Sequence, residues 1–213
     1  MTDFNTMVER VGRELLRTGA TWTQSIKDAI NDAIKLVAVE RFYFNEVVGQ
    51  TFNTVADQET YGEAANALLP GMSELDILYY TVGSDLREVC LTNHDEMNRL
   101  RMGTPQTGEP ERYSLFGEQL FLYPIPAAVY PMTFDGFGRL TPHPLTDNTD
   151  TNAWMTEGEM LIRAAAKAIF SRDVASDFKK AAAFEEIAEQ ARMTLAMKSS
   201  SRASTGTIKA TKW

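Results

Sequence analysis

Apolar residues recur at helical spacing near both ends of the chain and at strand spacing between them. Over residues 3–17, Phe4, Met7, Val8, Val11, Leu15 and Leu16 fall near intervals of three and four, which predicts a helix stopped by Gly19. Thr21-Trp22-Thr23-Gln24 then has the form of a capping box. Behind it, Trp22, Ile26, Ala29, Ile30, Ala33, Ile34 and Val37 make one apolar stripe, with Asp28, Asn31, Asp32 and Lys35 off it. The pattern predicts a second helix to about Glu40, which gives way to strands through Phe42-Tyr43-Phe44. That aromatic run reads as core in preference to interface.

From Thr51 to about Leu140 the spacing becomes short and alternating, and glycine, proline and aromatic residues rise. Residues 77–82 predict a strand ended by Gly83-Ser84. Residues 113–116 and 119–123 predict a hairpin around Gly117-Glu118, where glycine at the first turn position permits a type II′ turn. Pro124 and Pro126 close its second arm, because neither donates to a ladder. A further strand is expected over 131–137 and a short helix over 94–100.

Helical spacing returns behind Thr156-Glu157-Gly158-Glu159, a second capping box, with Leu161, Ile162, Ala165, Ala168 and Ile169. Phe184, Ile187, Ala188, Ala191 and Leu195 predict a last helix that ends over 198–201. Two helices thus precede the strands and two follow. The expected fold is α+β but mainly helical: a four-helix bundle with an inserted β-rich subdomain and an extended C-terminal arm. The expected boundaries are 1–45 for the first half of the bundle, 46–150 for the insertion, 151–198 for the second half and 199–213 for the arm.

Charge narrows the function. The 213 residues carry 21 Lys+Arg against 29 Asp+Glu, a net charge of −8, which argues against a general DNA-coating protein. From Lys198 onward there are four positive charges and no acid, leaving −12 on the preceding body. That tail has too little apolar content to fold alone. The chain start lacks a basic and apolar leader, and no apolar run approaches the ~18 residues of a membrane span, so cytoplasmic synthesis and no membrane association are expected.

Candidate chemistry is sparse. His94 and His143 are the only histidines, and His143 lies between two prolines, where a surface loop residue is expected. Cys90 is the single cysteine, which excludes a disulfide framework, and Val89 and Leu91 around it suggest a buried apolar role. No metal or nucleotide motif occurs, and Gly136-Phe137-Gly138 lacks the rest of a dinucleotide loop. Asp147, Asp150, Glu157 and Glu159 are explained by solvated faces and helix starts. The expectation is no enzyme, no catalytic or metal residue and no cofactor. A helical partner-binding or regulatory protein, or a small hydrolase using a carboxylate pair, stand as alternatives.

Several segments in order resemble the head-to-tail adaptor proteins of tailed bacteriophages. They are Arg13-Glu14-Leu15-Leu16, the stretch from Ala38 to Asn45, and a Thr-rich strand from Thr51 leading to Tyr61. The most specific stretch runs from Gly108 through Pro110 and Tyr113 to Gly117, followed by Leu120, Leu122, Pro124 and Pro126. Asn152-Ala153-Trp154 and the closing Thr205-Gly206-Thr207-Ile208-Lys209 complete the set. The resemblance implies a virion protein: a homo-oligomeric ring, usually of twelve copies, beneath the portal vertex. Such a ring extends the DNA channel, without specific DNA binding, toward tail or tail-nozzle proteins. It implies a C-terminal arm on the portal protein, for which Arg202, Ile208, Lys209, Lys212 and Trp213 are the candidate residues, with Ile208 and Trp213 as apolar anchors. Two expectations follow: an acidic lumen, and an arm that is disordered in the free protein and ordered by the portal.

Overall fold

The computed structural model describes residues 3–103, 106–140 and 143–203, with side chains through Ser200. In chain order come α1 (Phe4–Glu14), α2 (Ala20–Val37), β1 (Glu46–Asn53), β2 (Thr60–Tyr61), a 3-10 turn (Leu69–Gly71) and β3 (Met72–Val82). Then follow β4 (Asp85–Glu88), β5 (Cys90–Leu91), α3 (His94–Arg101), β6 (Thr107–Gly108), β7 (Arg112–Phe116) and β8 (Gln119–Tyr123). The last are β9 (Ile125–Pro126), β10 (Pro131–Gly138), α4 (Ala153–Thr156), α5 (Glu159–Asp173) and α6 (Phe178–Ala203). They fall into two compact units: Met1–Asn45 with Pro142–Trp213, whose described elements are helices, and Glu46–Thr141, which holds every strand among the described residues.

This corrects the expectation of a mainly helical four-helix bundle. Among the described residues, helix covers 42% and strand 25%, with six helices and three sheets, so the fold is α+β with substantial sheet. Two physical reasons account for the difference. The strands enclose a core of their own, with Phe52, Tyr61, Leu78, Tyr80, Leu122 and Phe134 all buried. In the helical unit, α5 packs against α1, α2, α4 and α6, so it is a hub and not one wall of a bundle. Small residues make that possible: Ala164, Ala166 and Ala168 are buried on different sides of α5 and let neighbouring helices approach closely.

Helix ends also differ from the sequence pattern. Asp3 caps α1, its carboxylate accepting the Thr6 N–H at 2.8 Å. The stop comes before Gly19. Leu16 takes a left-handed conformation (φ 55°), while the Leu16 and Arg17 N–H groups donate to the Arg13 and Gly12 carbonyls, a Schellman closure. Gly19 instead leads into α2, with φ 113°. The predicted box over 21–24 is therefore absent, because Thr21 is already inside the helix; Gln24 bonds to Asp28. The box over 156–159 is displaced likewise. Asn152 caps α4 by accepting the Trp154 and Met155 N–H groups, and α5 starts behind Gly158 with no side-chain cap.

In the strand-bearing unit, one antiparallel sheet runs β1-β10-β3-β4. A second runs β2-β8-β7-β5, with β5 parallel to β7, and β6 pairs with β9. Pairing of β10 with β3 shifts register at Gly136 and again at Gly138. Both glycines are required by close backbone approach: a Cβ on Gly136 would lie 2.3 Å from the Glu74 oxygen, and one on Gly138 would lie 2.2 Å from the Gly71 oxygen. The β7–β8 hairpin forms as expected, but its turn is of the I′ kind. Gly117 and Glu118 both have positive φ, 60° and 63°.

Candidate assembly surfaces

The candidate chemistry is absorbed by packing. Phe42 is fully buried, stacks on Phe44 at 5.7 Å and meets Trp154 edge-on at 5.9 Å, so Phe42 is core as expected, while Tyr43 and Phe44 are half-buried. Buried Asn45 closes the bend beneath it, accepting the Phe42 N–H and donating to the Glu40 carbonyl. Asp150 accepts the Thr146 and Asp147 N–H groups, Glu157 accepts the Tyr43 hydroxyl, and Glu159 pairs with Arg10 and Arg163. Glu14 holds Lys167 at 2.6 Å, and Lys167, nine-tenths buried, lies over the Phe184 ring.

The two histidines lie in different units. His94 starts α3, stacked on Phe116 at 4.0 Å, with Phe121 edge-on. Cys90 is exposed and not buried, because Val89 takes the inward position and the next residue along an extended chain faces out. Among the described residues, no three His, Cys, Asp or Glu side chains group as a metal site. No helix among them is long and apolar enough to cross a membrane.

Exposed apolar surface is what the packing leaves over. On α6 the buried stripe is Ala181, Ala191 and Leu195, flanked by half-buried Phe184 and Ala188. Met193 and Met197 lie four residues apart on the outward side, 53% and 74% exposed. Ile187, expected on the apolar stripe, is also outside it. Leu36 and Val39 protrude at the end of α2. Near the α1–α2 and α5–α6 turns, Leu15, Leu16, Phe170, Ala175 and Phe184 line a cavity of about 300 Å³. Leu16 itself is 87% exposed, and Phe178 opens α6 with 70% of its surface in solvent. Sequence periodicity missed Phe178, Met193 and Met197. The available signal was that both methionines fall off the stripe defined by Phe184, Ala191 and Leu195.

Residues Ile208, Lys209, Lys212 and Trp213 of the expected arm lie outside the described residues. The arm's first five residues are not separate from the body: α6 continues through Ala203, taking in the Arg202 backbone. The Ser199 hydroxyl accepts the Tyr43 N–H at 3.0 Å and donates to the Leu195 carbonyl, which carries the helix past the predicted end.

The described residues thus leave several apolar faces that their own packing does not cover. A family model described as SU10 adaptor protein matches residues 2–210. The chain belongs to that family of phage structural adaptors and is a component of the virion. No curated protein matches it.

Proposed function

We propose that the chain forms a closed ring of twelve copies seated on the portal protein. The ring extends the DNA channel toward tail or tail-nozzle proteins and assembles in the host cytoplasm. Family membership over residues 2–210 is the observation that carries this reading. The unused apolar residues support it: a ring closes through a heterologous interface in which two different faces of one chain meet. Leu36 with Val39 and Met193 with Met197 are exposed apolar pairs available to one side of such an interface. In this reading the lumen is net negative, so that passing DNA slides without releasing counterions and adhering.

The C-terminal arm, with Arg202, Ile208, Lys209, Lys212 and Trp213, docks on the portal. The Tyr43–Ser199 bond determines where the arm should be cut. Truncation after Ala203 preserves that bond and leaves α6 intact, whereas deletion from Ser199 removes it. The truncated protein should keep its circular dichroism spectrum and melting temperature but fail to attach to portal-bearing heads. Completion of heads at the full-length level would refute the arm. Electron microscopy of portal complexes tests the ring, and a single unpaired copy at the vertex would refute it.

A further inference from the structure

Two apolar features of the helical unit lie toward opposite ends of α6, one hollow and one protruding. The hollow is the cavity of about 300 Å³ near the α6 start, floored by buried Phe170 and half-buried Phe184 and rimmed by Leu16. A leucine that is 87% exposed with φ 55° carries a strain that no contact within its own chain offsets. The protrusion is Met193 with Met197, on the outward side of α6. Val39 and Met193 adjoin the two partners of the Glu40–Arg192 ion pair, so the exposed end of α2 belongs to the same region. From Lys180 on the cavity wall to Met197 the helix advances about 26 Å, so one copy cannot bring its two features together.

Resting on the ring reading, we propose that these features are the two halves of one contact: Met193 and Met197 of one copy, with Val39 beside them, enter the Leu16-rimmed cavity of the next copy. The chemistries match. An unbranched thioether side chain adapts to an irregular hollow and gains from sulfur–aromatic contact, and this hollow presents two phenylalanines. The charges beside them match as well. Of the two cations lining the cavity, Lys180 pairs with Asp177, whereas Arg17 lies over Trp22 with no carboxylate partner among the described residues. Next to the methionines, Arg192 is shared between Glu40 and Glu189, one cation for two carboxylates. Arg17 of the next copy supplies the second cation. Because the two surfaces differ and lie apart on every copy, the contact runs in one direction around the assembly, as a closed ring requires.

Crosslinking tests the pairing without removing any apolar side chain from it. Ala175 lines the cavity and Ser200 lies one turn beyond Met197, and both are exposed. Full-length protein carrying Ala175→Cys, Ser200→Cys or both is prepared in a Cys90→Ser background, which removes the only native cysteine. Each variant is assembled onto portal-bearing heads, treated with a short bis-maleimide and followed by its mobility in denaturing gels. About 33 Å of helix separates the start of α6 from Ser200, so the reagent joins the two positions only between copies. The expected result is a ladder of multimers from the double variant and monomer from each single variant. Dimers from either single variant would show that like surfaces meet and would overturn the inference. Monomer alone from the double variant, on heads where electron microscopy shows a ring, would overturn it too and leave the ring reading standing. Heads that carry the double variant without a ring would refute the ring reading itself.

Discussion

Replacing Leu16 by glycine should make the protein more stable and at the same time a poorer assembler. Leu16 occupies the left-handed position of a Schellman closure, where glycine is the residue without a steric penalty. The conformation costs an L-residue about 1–2 kcal/mol. Glycine returns ~0.5–1 kcal/mol of that through the greater entropy of its unfolded chain. Little packing is lost, because the side chain is 87% exposed. About a tenth of the roughly 1.5–3 kcal/mol of a fully buried leucine is then forfeited, some 0.3 kcal/mol. The balance is a gain of about 0.5 kcal/mol, which for a chain of this size raises the melting temperature by ~1–2 °C.

Scanning calorimetry of full-length wild type, Leu16→Gly and Leu16→Ala checks the reasoning. Alanine keeps the left-handed penalty and should leave the transition where it is, so the glycine-specific rise isolates the backbone contribution. Attachment to portal-bearing heads, measured on the same three proteins, reads the other half. If an exposed leucine is kept in a strained position because a neighbour covers it, both variants should attach less well. A lower melting temperature for Leu16→Gly, or an equal rise for Leu16→Ala, would refute the strain argument.

Three further outcomes follow from particular contacts. Gly138→Ala should destabilise the inserted unit by about 3 kcal/mol, since its Cβ meets three backbone atoms that cannot move aside, and the loss should appear in its thermal unfolding. Burial, helped by nearby Glu74, Asp76 and Glu88, pushes the Tyr113 hydroxyl up to about 12. Stability from this group is complete below pH 10 and falls between pH 10 and about 12, and Tyr113→Phe should abolish that part of the alkaline loss seen by tyrosinate absorbance and circular dichroism. Glu14→Ala should cost about 2 kcal/mol by stranding buried Lys167, while Lys167→Met should cost under about 1 kcal/mol; denaturant titration of both variants and the double mutant measures the coupling.

How much of this was legible in the sequence depends on the range of the interaction concerned. The β7–β8 hairpin was readable because alternation and a glycine turn are local. Its turn type was not, because nothing in the pattern announces that Glu118 adopts positive φ. Capping was misassigned for a related reason. Thr156 and Glu159 have the right spacing, but Asn152 reaches the free N–H groups one short helix earlier, and the Glu159 carboxylate is drawn to Arg10, 149 residues away in sequence. The alanine run in α5 signalled close packing without indicating four neighbours. Cys90 was placed on the wrong side because β5 is two residues long, too short for a period to be read. The assembly surface was the least legible feature. Periodicity finds the stripe that a helix buries within its own chain and is silent about apolar residues kept for another one.

The distribution of apolarity and charge gives these surfaces different physical ranges. Contact through Met193, Met197, Leu36 or Val39 acts only where surfaces touch and strengthens as water is excluded. Attraction and repulsion between charges reach about 8 Å at physiological ionic strength and about 3 Å in molar salt. If the proposed ring is held by these apolar faces it should therefore persist in molar salt, whereas a ring held by exposed ion pairs such as those Arg192 makes with Glu40 and Glu189 should come apart there.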